Sequence, residues 1–324
     1  MNGEFALIAH HFTRPGRQRP ARSQVELGVG DDCALLTPAA GQRLAVTSDL
    51  LVEGRHFLST VAPHKLGHKA LAVNLSDLAA CGAEPLGFTL ALALPRVDDE
   101  FLAGFVSGLF ALADAHGAEL VGGDTTAGPL AICITAFGQV PPGQALLRSG
   151  ARAGDDLWVS GTLGDARLVL EIFRGSVAMA GSGFDALRLA MEMPQPRVAL
   201  GLALRGLASS AIDLSDGLAG DLRHILARSG VGATVHLDAL PRSAALAAQP
   251  AALQQTCLLA GGDDYELLFT AAPAQQAAVR AAAQHSGVQV TLCGQIDSEA
   301  GFRVVDNQRQ PVEGRWQGFD HFAS

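Results

Sequence analysis

Along this chain, short apolar runs alternate with longer stretches in which hydrophobic residues recur every three to four positions. That alternation of period two and period 3.6 is the pattern of mixed α/β domains. In the first half it predicts strands over 45–47, 87–94, 118–121 and 130–140, and helices over 65–81 and 98–116. The second helix opens on Asp98, a good N-cap residue, and stops at Gly117, the residue type favoured just past a helix end. The turn residues Val140-Pro-Pro-Gly-Gln144 set an expected domain boundary, giving domains 1–143 and 144–324. Beyond it, strands are expected over 155–160, 211–214, 233–237, 265–270 and 288–296, and helices over 163–173, 196–207, 218–228 and 274–285.

One chemical pattern repeats where these elements meet. Ser-Asp occurs at 48–49, 76–77 and 215–216, Gly-Gly-Asp at 122–124 and 261–263, and Gly-Asp-Asp at 30–32. Taken singly, such dipeptides are more often caps or turns than ligands. Their recurrence at strand ends, where α/β folds place ligands, points to a shared site. Small neighbours let the backbones approach, but at ~4 Å and an effective dielectric of 20 each pair of like charges costs about 4 kcal/mol. Converging acids therefore imply a divalent cation. Oxygen-only donors favour Mg²⁺ over zinc, and Mg²⁺ on carboxylates usually carries phosphates as well.

Composition narrows the reading. A chain of 324 residues, 48% apolar, has core enough for two domains. A net charge of −9 counts against tracking a nucleic-acid backbone. The longest apolar run, 86–95, is too short to span a membrane, and the N-terminus has no signal-like segment, so a cytoplasmic protein is expected. The five cysteines form no C-x-x-C pair, which fits a reducing compartment. Glu4 and the apolar 5–8 suggest a helix followed by a solvated loop carrying Arg14, Arg17, Arg19 and Arg22. No P-loop or protein-kinase signature is present, and Lys65 and Lys69, the two lysines, follow no glycine-rich turn. A bound triphosphate would then be neutralised mainly by metals, helped by glycine-rich turns and Arg148.

The stretches V-E-L-G-V-G-D-D-C-A-L-L (25–36), T-S-D-L-L-V-E-G-R-H-F (47–57), K-A-L-A-V-N-L-S-D-L-A-A-C-G-A-E-P (69–85), G-G-D-T-T (122–126), R-S-G-A (148–151), A-I-D-L-S-D-G-L (211–218) and G-G-D-D-Y-E-L (261–267) together resemble the thiamine-monophosphate kinase family. The resemblance implies a two-domain fold like that of aminoimidazole ribonucleotide synthetase, with an N-terminal sheet domain that pairs into a homodimer and a C-terminal α/β domain. It implies ATP and several Mg²⁺ ions between the domains, and ATP-dependent phosphorylation of thiamine monophosphate to thiamine diphosphate. By position, Asp32, Thr47, Ser48, Asp49, Asp77, Asp124, Asp213 and Asp216 match the metal shell, with Asp49 and Asp124 the essential pair. Gly123, Asp124, Arg148 and Ser215 match nucleotide contacts, while His56, Asp263 and Phe319 match contacts to thiamine monophosphate. Three positions depart from the family pattern: Asp263 stands where Glu is common, Phe319 where Tyr is common, and His116 where an aromatic approaches the adenine. Trp316 is a further candidate for stacking on the thiazolium. A synthetase of the same superfamily is the alternative enzyme, although no N-terminal catalytic cysteine of the selenophosphate type is present. A binding protein without turnover is the non-enzymatic one.

Overall fold

The computed structural model describes residues 7–14, 24–179, 181–314 and 316–319. The chain divides into two compact units, Met1–Leu78 with Ala83–Gly143, and Ala79–Gly82 with Gln144–Ser324.

In the first unit, β1 (Val25–Leu27) and β2 (Leu35–Leu36) form a short antiparallel ribbon. The main sheet follows from β3 (Arg43–Val52), β4 (Glu84–Leu94), β5 (Glu119–Ala127) and β6 (Ala131–Val140), in the order β3-β6-β4-β5. Only the β4–β5 pair is parallel. The helices are α1 (Pro63–Ala80), with proline at its first position, and α2 (Asp99–Ala115). Asp98 caps α2 by accepting the Phe101 N–H at 3.0 Å, and Gly117 takes the left-handed conformation after its end. The two helices meet on glycines. A Cβ on Gly67 would lie 1.9 Å from the Phe105 carbonyl oxygen, and one on Gly108 would lie 1.7 Å from that of His64.

Strand β3 alternates strictly, because successive side chains leave opposite faces. Ala45, Thr47, Asp49 and Leu51 turn toward the core side. Leu44, Val46 and Leu50 stay 49%, 58% and 54% exposed on the other. Half-buried Cys133, Thr135 and Phe137 of β6 continue that open face.

The second unit holds β7 (Asp156–Ser160), β8 (Ser210–Asp213), β9 (Gly232–His236), β10 (Leu267–Ala271), β11 (Val290–Asp297) and β12 (Gly301–Val305) in the order β12-β9-β11-β7-β10-β8. Its helices are α3 (Asp165–Phe173), α4 (Ser182–Glu192), α5 (Val198–Ala203), α6 (Leu218–Ser229), α7 (Ala244–Ala247), α8 (Ala251–Ala260) and α9 (Gln276–His285). Central strands β7 and β10 are buried along their whole length, and Trp158 stacks on Phe269 with Arg280 above it. Beneath them Arg197 forks onto Glu266, its Nε 2.7 Å from Oε2, and the Ser160 hydroxyl donates to the same carboxylate. A buried charge is tolerable only with such partners.

Helices α4 and α8 and strand β12 lie where no element was expected, and the helix expected over 196–207 is only the six residues of α5. Arg14 follows the short π-helix Ile8–Phe12 in irregular backbone, but it is paired as well as partly solvated. It forms a two-pronged bond to Asp114, at 2.8 and 2.7 Å, and stacks over Phe110. Glu4, Phe5, Arg17, Arg19 and Arg22 lie outside the described residues.

Candidate active site

Within the first unit, the alternation of β3 aims Thr47 and Asp49 at α1, where Asp77 sits. The Thr47 hydroxyl donates to the Asp77 carboxylate, and Asp49 and Asp77 are hydrogen-bonded to each other. Burial first, and then the charge of Asp77, push the Asp49 carboxyl up to about 7. Two facing carboxylates with one proton between them form an oxygen-rich site that a divalent cation would relieve of that proton.

Ser48 faces the other way. Its hydroxyl lies 2.9 Å from that of Thr135 on the open side of the sheet. Gly123 is irreplaceable on steric grounds: φ is +148°, and a Cβ would fall 1.8 Å from the Leu90 carbonyl oxygen. Pairing runs Asp49–Ile134–Leu90–Gly123 in one row across the sheet. Exposed Asp124 follows Gly123 on β5, so it stands three strands from Asp49, roughly 14 Å at the usual strand spacing. Asp32 is exposed in the β1–β2 connection. Among the described residues, no three His, Cys, Asp or Glu side chains gather tightly enough to hold a metal on their own. Among the described residues of the first unit, the expected acids seen to meet are Asp49 and Asp77, with Thr47 beside them. Like charges without a cation do not crowd further.

His56 sits in a tight turn after β3. Its main-chain N–H and that of Arg55 both donate to the Val52 carbonyl, and its ring Nδ1 accepts the Val52 N–H at 2.9 Å. His116 caps the C-terminal end of α2, half-buried, and burial followed by nearby His68 lowers its pKa.

In the second unit, three segments are knit by main-chain bonds. The Asp263 N–H donates to the Ser215 carbonyl at 2.9 Å, that of Tyr265 to Leu214 at 2.8 Å, and that of Phe319 to Asp216 at 3.0 Å. Asp213 is buried at the end of β8, opposite Leu267. Behind the Ser215-Asp216 turn lies buried Asp221, which accepts the N–H groups of Asp216 and Gly217 at 3.1 Å each. Burial, then the charge of Asp216, raise its carboxyl to about 7. Asp264 turns inward instead, accepting the Gly164 N–H at the start of α3, and burial holds it well above the usual carboxylate range. Phe319 is 52% exposed rather than covering the core, and the Trp316 carbonyl accepts from Arg223. Arg148 is exposed, and its carbonyl accepts from Ser229.

The chain matches AIR synthase related protein, N-terminal domain, over residues 30–140, and AIR synthase related protein, C-terminal domain, over 152–307. It is 46% identical over 324 residues to the thiamine-monophosphate kinase of Escherichia coli K12, covering 99% of both chains. The chain belongs to this family. The thiamine-monophosphate kinase structure from Stenotrophomonas maltophilia K279a superposes with a TM-score of 0.83 at 48% identity, covering 88% of this chain and 92% of that one. A solved complex of AaThiL with AMPPCP and TMP superposes at 0.77 with 29% identity, covering 88% and 89%. The two-domain fold of the thiamine-monophosphate kinases is therefore the fold of this chain.

Asp221, Tyr265 and the Arg197–Glu266 pair did not stand out in the sequence, and Lys69 did so only for the scarcity of lysine. Tyr265, the one tyrosine, adjoins the Gly-Gly-Asp-Asp run, and Lys69 is one of two lysines, so scarcity was the available signal.

Proposed function

We propose that the chain transfers the γ-phosphoryl group of ATP to the phosphate of thiamine monophosphate, yielding ADP and thiamine diphosphate. Full-length identity to thiamine-monophosphate kinases carries this reading, together with an AMPPCP- and TMP-bound member of the same fold. The attacking oxygen belongs to a phosphate already largely ionised at pH 7, so no general base and no phospho-enzyme are needed; the attacking oxygen bonds to phosphorus as the bond to ADP breaks in line. Positioning and charge stabilisation supply the acceleration.

Thr47, Asp49 and Asp77 fit Mg²⁺, because they are hard oxygen donors held together, with burial and mutual charge disfavouring the ionised carboxylates until a cation binds. Mg²⁺ bound there would neutralise charge on the phosphates. We assign Asp32, Asp124, Asp213 and Asp216 to the same shell, which Ser48 can join only through its main chain because its hydroxyl turns to the open face; Gly123, Arg148 and Ser215 are assigned to the nucleotide, and His56, Asp263 and Phe319 to thiamine monophosphate. The Gly123 backbone approaches closely because nothing projects from it, and Asp263 offers a carboxylate to the cationic substrate.

The working unit in this proposal is a homodimer. Leu44, Val46 and Leu50 form an exposed apolar stripe on a sheet face that a second copy would cover. A two-fold axis parallel to the strands lays the β5 edge of one copy against the β3 edge of the other. That pairing brings Asp124, which shares the open face with Leu50 and Cys133, to the β3 edge of a neighbouring chain, which one chain leaves about three strands away. We place the reaction in the cytoplasm, consistent with five free cysteines and with no membrane-length apolar helix among the described residues.

The test is chromatography of products after incubating the chain with ATP, Mg²⁺ and either thiamine monophosphate or thiamine. Thiamine diphosphate from the first acceptor and no product from the second is the expected result. Phosphorylation of thiamine alone, or ATP breakdown without thiamine diphosphate, refutes the reading.

A further inference from the structure

We infer that Lys69 and the Val52 amide lock His56 into a single tautomer, with its proton on Nε2, so that His56 serves as a fixed hydrogen-bond donor toward an anionic phosphate. The inference deepens the assignment of His56 above and rests on it for the identity of the phosphate.

Three observations carry it. The Val52 N–H lies 2.9 Å from His56 Nδ1, a normal hydrogen-bond length, and an amide N–H can only donate. Nδ1 must therefore present its lone pair, which leaves Nε2 to hold the proton of the neutral ring. Secondly, the turn that aims the ring is tied on both sides. The Gly54 N–H donates to the Phe57 carbonyl at 2.8 Å, and the His56 N–H donates to the Val52 carbonyl at 3.0 Å. Thirdly, Lys69 of α1 is only 2% exposed, and its Nζ donates to the His56 carbonyl at 3.1 Å. Burying an ammonium is costly unless it is well bonded. In a chain with 23 basic residues and two lysines, this one sits under the turn of His56. An arginine's broad planar fork would need more room than an ammonium reaching a single carbonyl.

The consequence is specific. His56 acts on substrate through Nε2–H, as a donor to a phosphate oxygen, and is unavailable as a proton acceptor from the bound ligand. Lys69 is a positioning residue that acts through the His56 carbonyl.

The experiment is a long-range ¹H–¹⁵N correlation spectrum of the full chain labelled with ¹⁵N-histidine, recorded without substrate at pH 8. His56 is assigned by its loss in His56→Ala. A bare Nδ1 and a protonated Nε2 as one species are expected, and Lys69→Met should add the second tautomer. Kinetics supply a second reading that survives if Lys69→Met fails to fold. His56→Ala should raise KM for thiamine monophosphate about tenfold, the scale of one hydrogen bond to a charged group. His56→Gln, whose amide reaches the Nε2 position, should recover most of that loss, and His56→Asn, which reaches only the Nδ1 position, should recover none. A mixture of tautomers or Nδ1–H in the wild-type chain overturns the inference, as does rescue by His56→Asn instead of His56→Gln. Lys69→Met folding with an unchanged spectrum overturns the part given to Lys69. Failure of the substrate assignment looks different: a single tautomer in the spectrum of a chain that makes no thiamine diphosphate.

Discussion

The phenol of Tyr265 donates to the Asp263 carboxylate at 3.1 Å, and both residues hold left-handed backbone, φ +50° and +65°. Non-glycine residues occupy that region at a cost of order 1 kcal/mol or more each, and the surrounding structure must impose it. Here the main-chain bonds to Leu214 and Ser215 do so. Removing only the hydroxyl in Tyr265→Phe should take away one anchor of the Asp263 carboxylate. Steady-state kinetics should give a KM for thiamine monophosphate several-fold higher with KM for ATP unchanged, and equal losses for both substrates would contradict a role confined to Asp263.

Asp49→Asn and Asp124→Asn should each lower kcat by orders of magnitude while circular dichroism and melting temperature stay near wild type. Asp124 is exposed, and Asn at position 49 keeps a group that can hydrogen-bond to Asp77, so neither substitution removes a folding contact of consequence. Near-normal turnover of both variants in Mg²⁺ would remove the basis for the metal assignment.

If Asp124 serves a neighbouring subunit's site, the two inactive variants should complement. A random equal mixture of Asp49→Asn and Asp124→Asn chains makes half heterodimers, each with one intact site, so about a quarter of wild-type activity should return. A site built within one chain returns none.

The Arg197–Glu266 pair predicts a stability signature. Arg197→Met leaves Glu266 buried without its cation and should cost on the order of 3–5 kcal/mol in urea denaturation. Replacing both partners with apolar residues should recover much of that loss, because the uncompensated charge is gone.

Asp221 sets a pH dependence. Its carboxyl is raised to about 7 in the folded chain from an ordinary value of 3.8, so the native state holds a proton that the unfolded chain has released. That contribution to stability is fully present below about 3.8 and is lost as pH rises through 7. Asp221→Asn, which keeps an acceptor for the Asp216 and Gly217 N–H groups, should show a shallower loss of stability between pH 4 and 7.5. Parallel curves for the two proteins would contradict the origin assigned to the shift.

Much of this architecture could be read from the chain. The period of β4 and β6, the Asp98 cap and Gly117 stop of α2, and the apolar runs of β7 and β10 are local signals, and each appears within a few residues of its expected place. Helix α8, Ala251–Ala260, was missed because its alanine-rich stretch lacks a clear apolar stripe. Strand β12 was missed because its partner β9 lies some seventy residues earlier, a pairing no local pattern encodes. The candidate site was legible as residue types and not as geometry. Repeated Ser-Asp and Gly-Gly-Asp marked Asp49, Asp77 and Asp124, yet strand order, which places Asp49 and Asp124 on opposite edges, is a property of the whole sheet. Asp264 and Asp263 are neighbours in sequence with opposite fates, one capping α3 and one held by Tyr265, and only the left-handed turn between them separates the two.

The most direct measurement is the initial rate of thiamine diphosphate formation from ATP and thiamine monophosphate as free Mg²⁺ is raised from zero. No product is expected in chelator, and a saturable rise should continue after all ATP is complexed, since the protein's own carboxylates would take further ions. Full turnover in chelator, or saturation as soon as ATP is complexed, would contradict it.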